Sequence, residues 1–204
     1  NYTTSGLDYS YGPQKKENRL LTLYANYNKL VESIKSSFDV TAGYDYQYWK
    51  STTPLYSEMN TLGEIQKTSK ASDERHVLLS YYGRLNYSFN SRYMLTTTVR
   101  RDATSRFAKN VRWGTFPSVA LGWRVTEESF LKDNKVISTL KVRASYGVTG
   151  QQDGIGNYNY LPIYTISQSG AGSLIGGTPT PTYRPKAYVP NLKWETTTSW
   201  NVGF

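Results

Sequence analysis

The sequence predicts an all-β chain that forms part of the wall of a transmembrane antiparallel up-and-down β-barrel. Three observations carry this. Nearly every periodic stretch alternates apolar with polar residues, the alternating runs are about ten residues long, and short connections alternate strictly with long ones. Period two sets successive side chains on opposite faces of a strand. A run near ten residues exceeds the five or six usual in soluble strands and matches the roughly 9–11 that cross a bilayer at a tilt. Bacterial barrels join their strands by short turns on the periplasmic side and longer loops outside.

Residues 19–28 (RLLTLYANYN) form the first run. Residues 38–48 place Phe38, Val40, Ala42, Tyr44, Tyr46 and Tyr48 on one face and Asp39, Thr41, Gly43, Asp45 and Gln47 on the other. Residues 79–89 set Leu79, Tyr81, Gly83, Leu85, Tyr87 and Phe89 opposite Ser80, Tyr82, Arg84, Asn86 and Ser88. The run 92–102 (RYMLTTTVRRD) follows, then 119–125, with Val119, Leu121, Trp123 and Val125 against Ala120, Gly122 and Arg124. Residues 140–148 alternate Leu140, Val142, Ala144, Tyr146 and Val148 with Lys141, Arg143, Ser145 and Gly147. With 192–204 (LKWETTTSWNVGF) the set reaches about seven strands. The tight connections are 29–36, Asn90-Ser91 and 126–137, and the long polar ones are 49–74, 103–114 and 149–191. Helical spacing is confined to 126–134 and 30–35, where short helical stretches are expected.

The aromatic composition fits the same architecture. Nineteen tyrosines stand against six phenylalanines and five tryptophans, a surplus of rings with polar tips that suits a membrane interface. With the long loops upward, Tyr27, Phe38, Tyr87, Phe89, Tyr93 and Trp123 fall near the lower strand ends. Tyr44, Tyr46, Tyr48, Tyr146 and Trp194 fall near the upper ends. A chain with no cysteine and one histidine, His76, has no disulfide framework, zinc-thiolate site or histidine pair. His76 has no serine-glycine elbow nearby, so no catalytic residue, enzyme activity or cofactor is expected. The net charge of +9 comes from basic residues that alternate into strands instead of covering one groove, which argues against nucleic acid. The alternative is a soluble or surface-attached glycan-binding β-sandwich, since sandwich strands alternate too. Single-chain bacterial barrels have an even strand count, so seven strands beginning at Asn1 are expected to be an internal piece of a larger barrel. The rival and less favoured reading takes Phe204, an aromatic end on an alternating strand, as a true barrel C-terminus.

Three segments carry a resemblance. Residues 93–125 (YMLTTTVRRDATSRFAKNVRWGTFPSVALGWRV), 140–158 (LKVRASYGVTGQQDGIGNY) and 190–204 (PNLKWETTTSWNVGF) resemble, in order, the barrel of the SusC/RagA family of TonB-dependent outer-membrane transporters. Ala103 and Ala108 stand where that family commonly has glycine, and Val189 precedes Pro190 where asparagine is frequent. The resemblance implies a barrel of about 22 strands around an N-terminal plug. Residues 1–204 would then belong to the barrel domain, with the plug absent from this chain. It also implies residence in the cell outer membrane of a Gram-negative bacterium, among lipid and lipopolysaccharide. The implied activity is TonB-dependent nutrient uptake of a glycan (oligosaccharide) or peptide, with a SusD-like surface lipoprotein outside and the TonB complex acting through the plug.

Several residues are candidates for function. Arg100, Arg101, Asp102, Arg106 and Arg112 crowd one strand top and its loop, either as a charged network at the mouth or, the favoured reading, as a structural loop clasp. Arg84, Arg124, Lys141, Arg143 and Glu195 are expected to face the lumen and pair with the plug or across the barrel. Trp113, Tyr158, Tyr160 and Tyr183 are the substrate-contact candidates, as aromatics in long outer loops able to stack on a sugar ring. Asp153 within GQQDGIGN is one carboxylate, short of the six to eight oxygens calcium takes, so that stretch reads as a turn-rich loop and no metal site is expected.

Overall fold

The computed structural model describes residues 14–132, 134, 136–166 and 172–204, with the backbone of Asp8–Tyr9. Seven strands form one antiparallel sheet: β1 (Lys15–Val31), β2 (Ser36–Thr53), β3 (Ser72–Phe89), β4 (Tyr93–Thr104), β5 (Trp113–Arg124), β6 (Lys141–Gln151) and β7 (Glu195–Gly203). Each pairs with its neighbours in sequence, so the order is up-and-down without a crossover. Within this chain β1 and β7 each pair on one side only, and the sheet is open. Three small antiparallel sheets decorate the long-loop side, among them Gly172–Ile175 with Thr178–Pro181 across the Gly176-Gly177 turn, where both glycines take positive φ.

Register preserves the two faces across the sheet. Phe38 opposes Tyr87, Tyr87 opposes Leu95, Leu95 opposes Leu121, Leu121 opposes Ala144 and Ala144 opposes Val202. One residue along, Asp39, Asn86, Thr96, Ala120, Ser145 and Asn201 form the matching polar row. A slip of one residue would exchange the faces of a whole strand, so the alternation itself fixes the pairing. No second layer covers the apolar face among the described residues: Leu23 is 57% exposed, Tyr27 60% and Trp200 78%. A β-sandwich buries this face against another sheet, whereas a barrel turns it to lipid, and the single layer decides for the barrel wall.

The structure corrects three expectations. First, β1, β2 and β3 run 17, 18 and 18 residues, far beyond the alternating segments, and β5 begins at Trp113 rather than at residue 119. Above the hydrocarbon neither face needs apolar side chains, so the pattern fades while backbone pairing continues from Trp49–His76 to Thr53–Ser72. Second, the expected helical stretches are single 3-10 turns, Glu32–Ile34 and Val125–Glu127, because segments this short cannot offset the cost of helix nucleation. Asp133 and Lys135 lie outside the described residues. Third, Trp194 is not an interface aromatic but is buried with Phe107 and Phe116 under the long loops.

The short turns are tied to one another. Lys35, Asn90 and Ser91 adopt left-handed φ, and the Asn90 amide donates to the Lys35 carbonyl at 2.7 Å. In the third turn the Glu128 carboxylate accepts from Tyr93 Oη at 2.5 Å, Trp123 Nε1 at 3.1 Å and Arg92 Nη1 at 3.2 Å. It thereby fixes two aromatics of the lower apolar face. The Tyr93 hydroxyl first, then the Trp123 indole and the Arg92 charge, hold the Glu128 carboxyl below the ordinary carboxylate range. A depressed folded-state value means stability that is present above the unfolded value, about 4.3, and lost as pH falls through the folded one. Glu128→Gln in the full-length protein is therefore expected to lower the urea midpoint at neutral pH. The difference should vanish once the wild-type carboxyl is protonated; a gap that persists in acid would contradict the assignment.

Candidate functional site: a cleft on the polar face beneath the long loops

At the long-loop end of the polar face, the tops of β1, β2 and β3 meet two loops around a cleft of about 410 Å³. Trp49 and His76 oppose each other in register and their rings stack, with centroids 4.4 Å apart and planes 16° from parallel. Arg106, from the loop between β4 and β5, donates from Nη2 to His76 Nε2 at 3.4 Å, from Nε to Asn157 Oδ1 at 3.1 Å and from Nη1 to the Gln152 carbonyl at 3.0 Å. A guanidinium only donates, so Nε2 of His76 is the acceptor in this contact. Asn157 Nδ2 then donates to Glu74 Oε2 at 3.1 Å, closing the chain back to β3. Ser105 and Val77 exchange hydrogen bonds at 2.9 and 3.0 Å and pin the same loop.

Behind the cleft sits the apolar anchor of the mouth. Phe107 is fully buried and meets Trp194 edge-on at 5.5 Å; Phe116 meets Trp194 similarly at 5.3 Å. Glycine is required beneath Phe116, since a Cβ on Gly150 would lie 2.1 Å from its ring and one on Gly114 2.5 Å. Trp194 Nε1 donates to the Arg112 carbonyl at 2.9 Å, so its one polar group is satisfied.

Arg100 organises the wall below. Its Nε reaches both carboxylate oxygens of Asp102, at 2.9 and 3.1 Å, Nη2 donates to Ser80 Oγ at 2.8 Å, and Nη1 stands 3.5 Å from Asp45. The guanidinium also covers the Tyr82 ring at 5.7 Å. Tyr82 in turn lies over Gly43, where an added Cβ would come within 2.2 Å of its ring, so that glycine lets the tyrosine lie flat on the wall.

The five residues expected at one mouth network occupy separate places. Arg100 and Asp102 are partners, Arg106 clasps two loops, and Arg112 contributes its carbonyl. Arg101 belongs to the opposite face, its guanidinium 5.1 Å over the Trp113 ring, because adjacent residues of a strand point apart. Trp113 also stacks on Tyr81 at 6.1 Å on that apolar face, which removes it from the polar cleft. Register assigns Arg84, Arg124, Lys141, Arg143 and Glu195 to polar-face positions; Arg84 donates to Asn86 at 3.3 Å and Arg124 stands 4.0 Å from Glu127. Tyr158 reaches the cleft rim, where its hydroxyl accepts from the Arg75 amide at 3.3 Å, while Tyr183 stays exposed in a loop pairing and Tyr160 is half-buried in a turn. The residues that build the cleft, Trp49, His76, Glu74 and Asn157, were not singled out from the sequence as a group. Trp49 and His76 lie on one polar row, and a register extended past the apolar alternation would have joined them.

Single-layer wall, alternating faces and a mouth built by loops point to one kind of barrel. The family model described as "TonB dependent receptor-like, beta-barrel" matches residues 1–204. The chain belongs to that family. It is 44% identical over 193 residues to the TonB-dependent receptor SusC of Bacteroides thetaiotaomicron, a match covering 87% of this chain and 19% of that protein. A TonB-dependent receptor of Formosa agariphila is 34% identical over 152 residues, covering 69% of the chain and 14% of the relative. Among solved structures, the RagAB peptide transporter superposes with a TM-score of 0.77 at 20% identity, and the open-open state of the RagAB peptide importer with 0.76 at 22%. Each covers 93% of this chain and 21% of the other, and the likeness shows the fold. The match therefore spans between about a seventh and a fifth of the length of these proteins. The SusC/RagA resemblance read from residues 93–125, 140–158 and 190–204 is borne out.

Proposed function

We propose that the chain is a wall segment of an outer-membrane importer that takes up a nutrient oligosaccharide or peptide. Import would be energised through TonB and a plug carried elsewhere in the full-length protein, with a surface lipoprotein over the mouth. Family membership and the similarity to SusC support the transport reading. The observation that bears on substrate is the Trp49–His76 cleft. An indole beside uncharged amide donors and acceptors, Asn18 and Asn157, suits the flat apolar face and ring hydroxyls of a sugar. Most charges around it are already engaged, Lys50 with Asp73, Glu74 with Asn157 and Arg106 with His76 and Asn157, and among the described lining residues Lys16 is the cation left for a peptide carboxylate. An oligosaccharide is thus the favoured cargo.

Trp49→Ala in the full-length receptor tests this. Loss of one stacking contact should weaken oligosaccharide binding to the purified receptor about ten-fold while receptor abundance in the outer membrane is unchanged. Undiminished sugar binding, or peptide binding that falls instead, would remove the sugar reading.

A further inference from the structure

The contacts of His76 join the sheet to the loops. Trp49 and His76 sit on paired strands, β2 and β3, whereas Arg106 belongs to the loop between β4 and β5. From there Arg106 reaches across to Gln152 and Asn157 in the loop between β6 and β7. His76 is half-buried between the indole and the guanidinium, on the part of β3 that rises above the hydrocarbon. Because Nε2 accepts from Arg106, the neutral imidazole carries its proton on Nδ1. A second proton would enter at Nε2, 3.4 Å from a guanidinium nitrogen. Two donors and two like charges would then meet. The indole responds oppositely, since its face 4.4 Å away attracts a cation. Protonation therefore keeps His76 on Trp49 and repels Arg106, the partner carried by a loop.

The other charged and titratable groups around the imidazole are engaged or cationic. On β3, Glu74 accepts from Asn157, and Arg75 is paired with Asp73, which also takes Lys50 of β2. On β1, Lys16 lines the cleft as a further cation and Glu17 is paired with Arg19. Tyr158, from the β6–β7 loop, has its hydroxyl on the Arg75 amide. On β4 the Arg100–Asp102 pair lies lower on the wall, where Asp102 opposes Ser80. Burial first, then the Arg106 charge, holds the His76 imidazole below its ordinary value of 6.5.

We propose that His76 is a proton-operated latch of the mouth: when Nε2 takes up a proton, Arg106 is released and the two long loops part at the cleft. One proton moves from solvent to the ring and no covalent bond changes. Above about 6.5 the imidazole is neutral whether the latch is shut or open, and the contact holds in full. As pH falls below that value the open form gains the proton first, so the latch weakens until the shut form is protonated too. The Phe107 cluster still anchors both loops, so the loosening is confined to the cleft. Arg106 and Asn157 line that cleft, and their separation widens it. The latch regulates the cleft assigned above to a sugar, yet its test contains no sugar, so either reading can fail alone.

Amide hydrogen exchange of the full-length receptor in detergent, expressed as protection relative to the intrinsic rate at each pH, reads the latch. Between about pH 7.5 and about pH 5.5, above the range of ordinary carboxylates, protection of residues 150–157 should fall up to about ten-fold in the wild type. His76→Gln supplies an amide oxygen that accepts from Arg106 at any pH, so its protection should be the same at both ends. Arg106→Gln should give the low value at both. Unchanged wild-type protection, or a pH response that survives in His76→Gln, would overturn the proposal. Heat-modifiable gel migration verifies assembly of each variant. If His76→Gln fails it, Arg106→Gln decides, since a pH response that persists without the guanidinium contradicts the latch.

Discussion

Phe107→Ala in the full-length receptor is expected to destabilise the loop assembly at the mouth by about 3–5 kcal/mol, the range for emptying a buried aromatic site. Phe107 is 0% exposed and its ring is held by Trp194, with Leu78, Val111, Ile155 and Leu192 around the cluster. This cluster lies above the membrane, where water is the alternative environment, so the hydrophobic effect acts in full. Within the lipid-facing band it would not, because the apolar face there meets hydrocarbon in any case. The effect should therefore be local. Amide hydrogen exchange of residues 105–112 and 150–157 should accelerate by orders of magnitude, while the lower halves of β3 and β4 stay protected. Unchanged protection of both loops would show that the cluster does not hold them.

The second large effect is expected at Arg100. Arg100→Met leaves Asp102, which is 8% exposed, without its charge partner and leaves the fully buried Ser80 hydroxyl without its donor. Breaking such a pair from one side costs about 3–5 kcal/mol when both groups are buried. Part of the guanidinium is open to the polar face, so about 2–3 kcal/mol is expected here. Adding Asp102→Asn should recover a good part of the loss, since the orphaned charge goes with it. Urea unfolding of the detergent-solubilised receptor, followed by heat-modifiable migration, measures all three variants. Additive losses in the double variant would mean that Arg100 and Asp102 act independently.

The alternation of residues 38–48 and 79–89 was enough to assign each side chain to a face, because that assignment depends only on neighbours in the chain. It was also enough to assign Arg84, Lys141 and Arg143 to the polar face. It failed where side chains stop alternating, at the tops of β2 and β3, and so hid the opposition of Trp49 and His76. It also read Arg100, Arg101 and Asp102 as one group, although residue 101 belongs to the other side of the wall.

The residues that come together at the mouth lie far apart in sequence. Arg106 and Asn157 are separated by 51 positions, Asn157 and Glu74 by 83, and Trp194 and Arg112 by 82. No local pattern records such a contact, since loops carry no obligatory period and their partners are set by where the sheet delivers their ends. The sequence by itself determined an antiparallel wall with an apolar face, a polar face, the strand order and the family. Only the tertiary structure decided which arginine clasps loops, which stiffens the wall and which lies over Trp113 on the apolar face, because those places depend on distances between strands that the chain visits at different times.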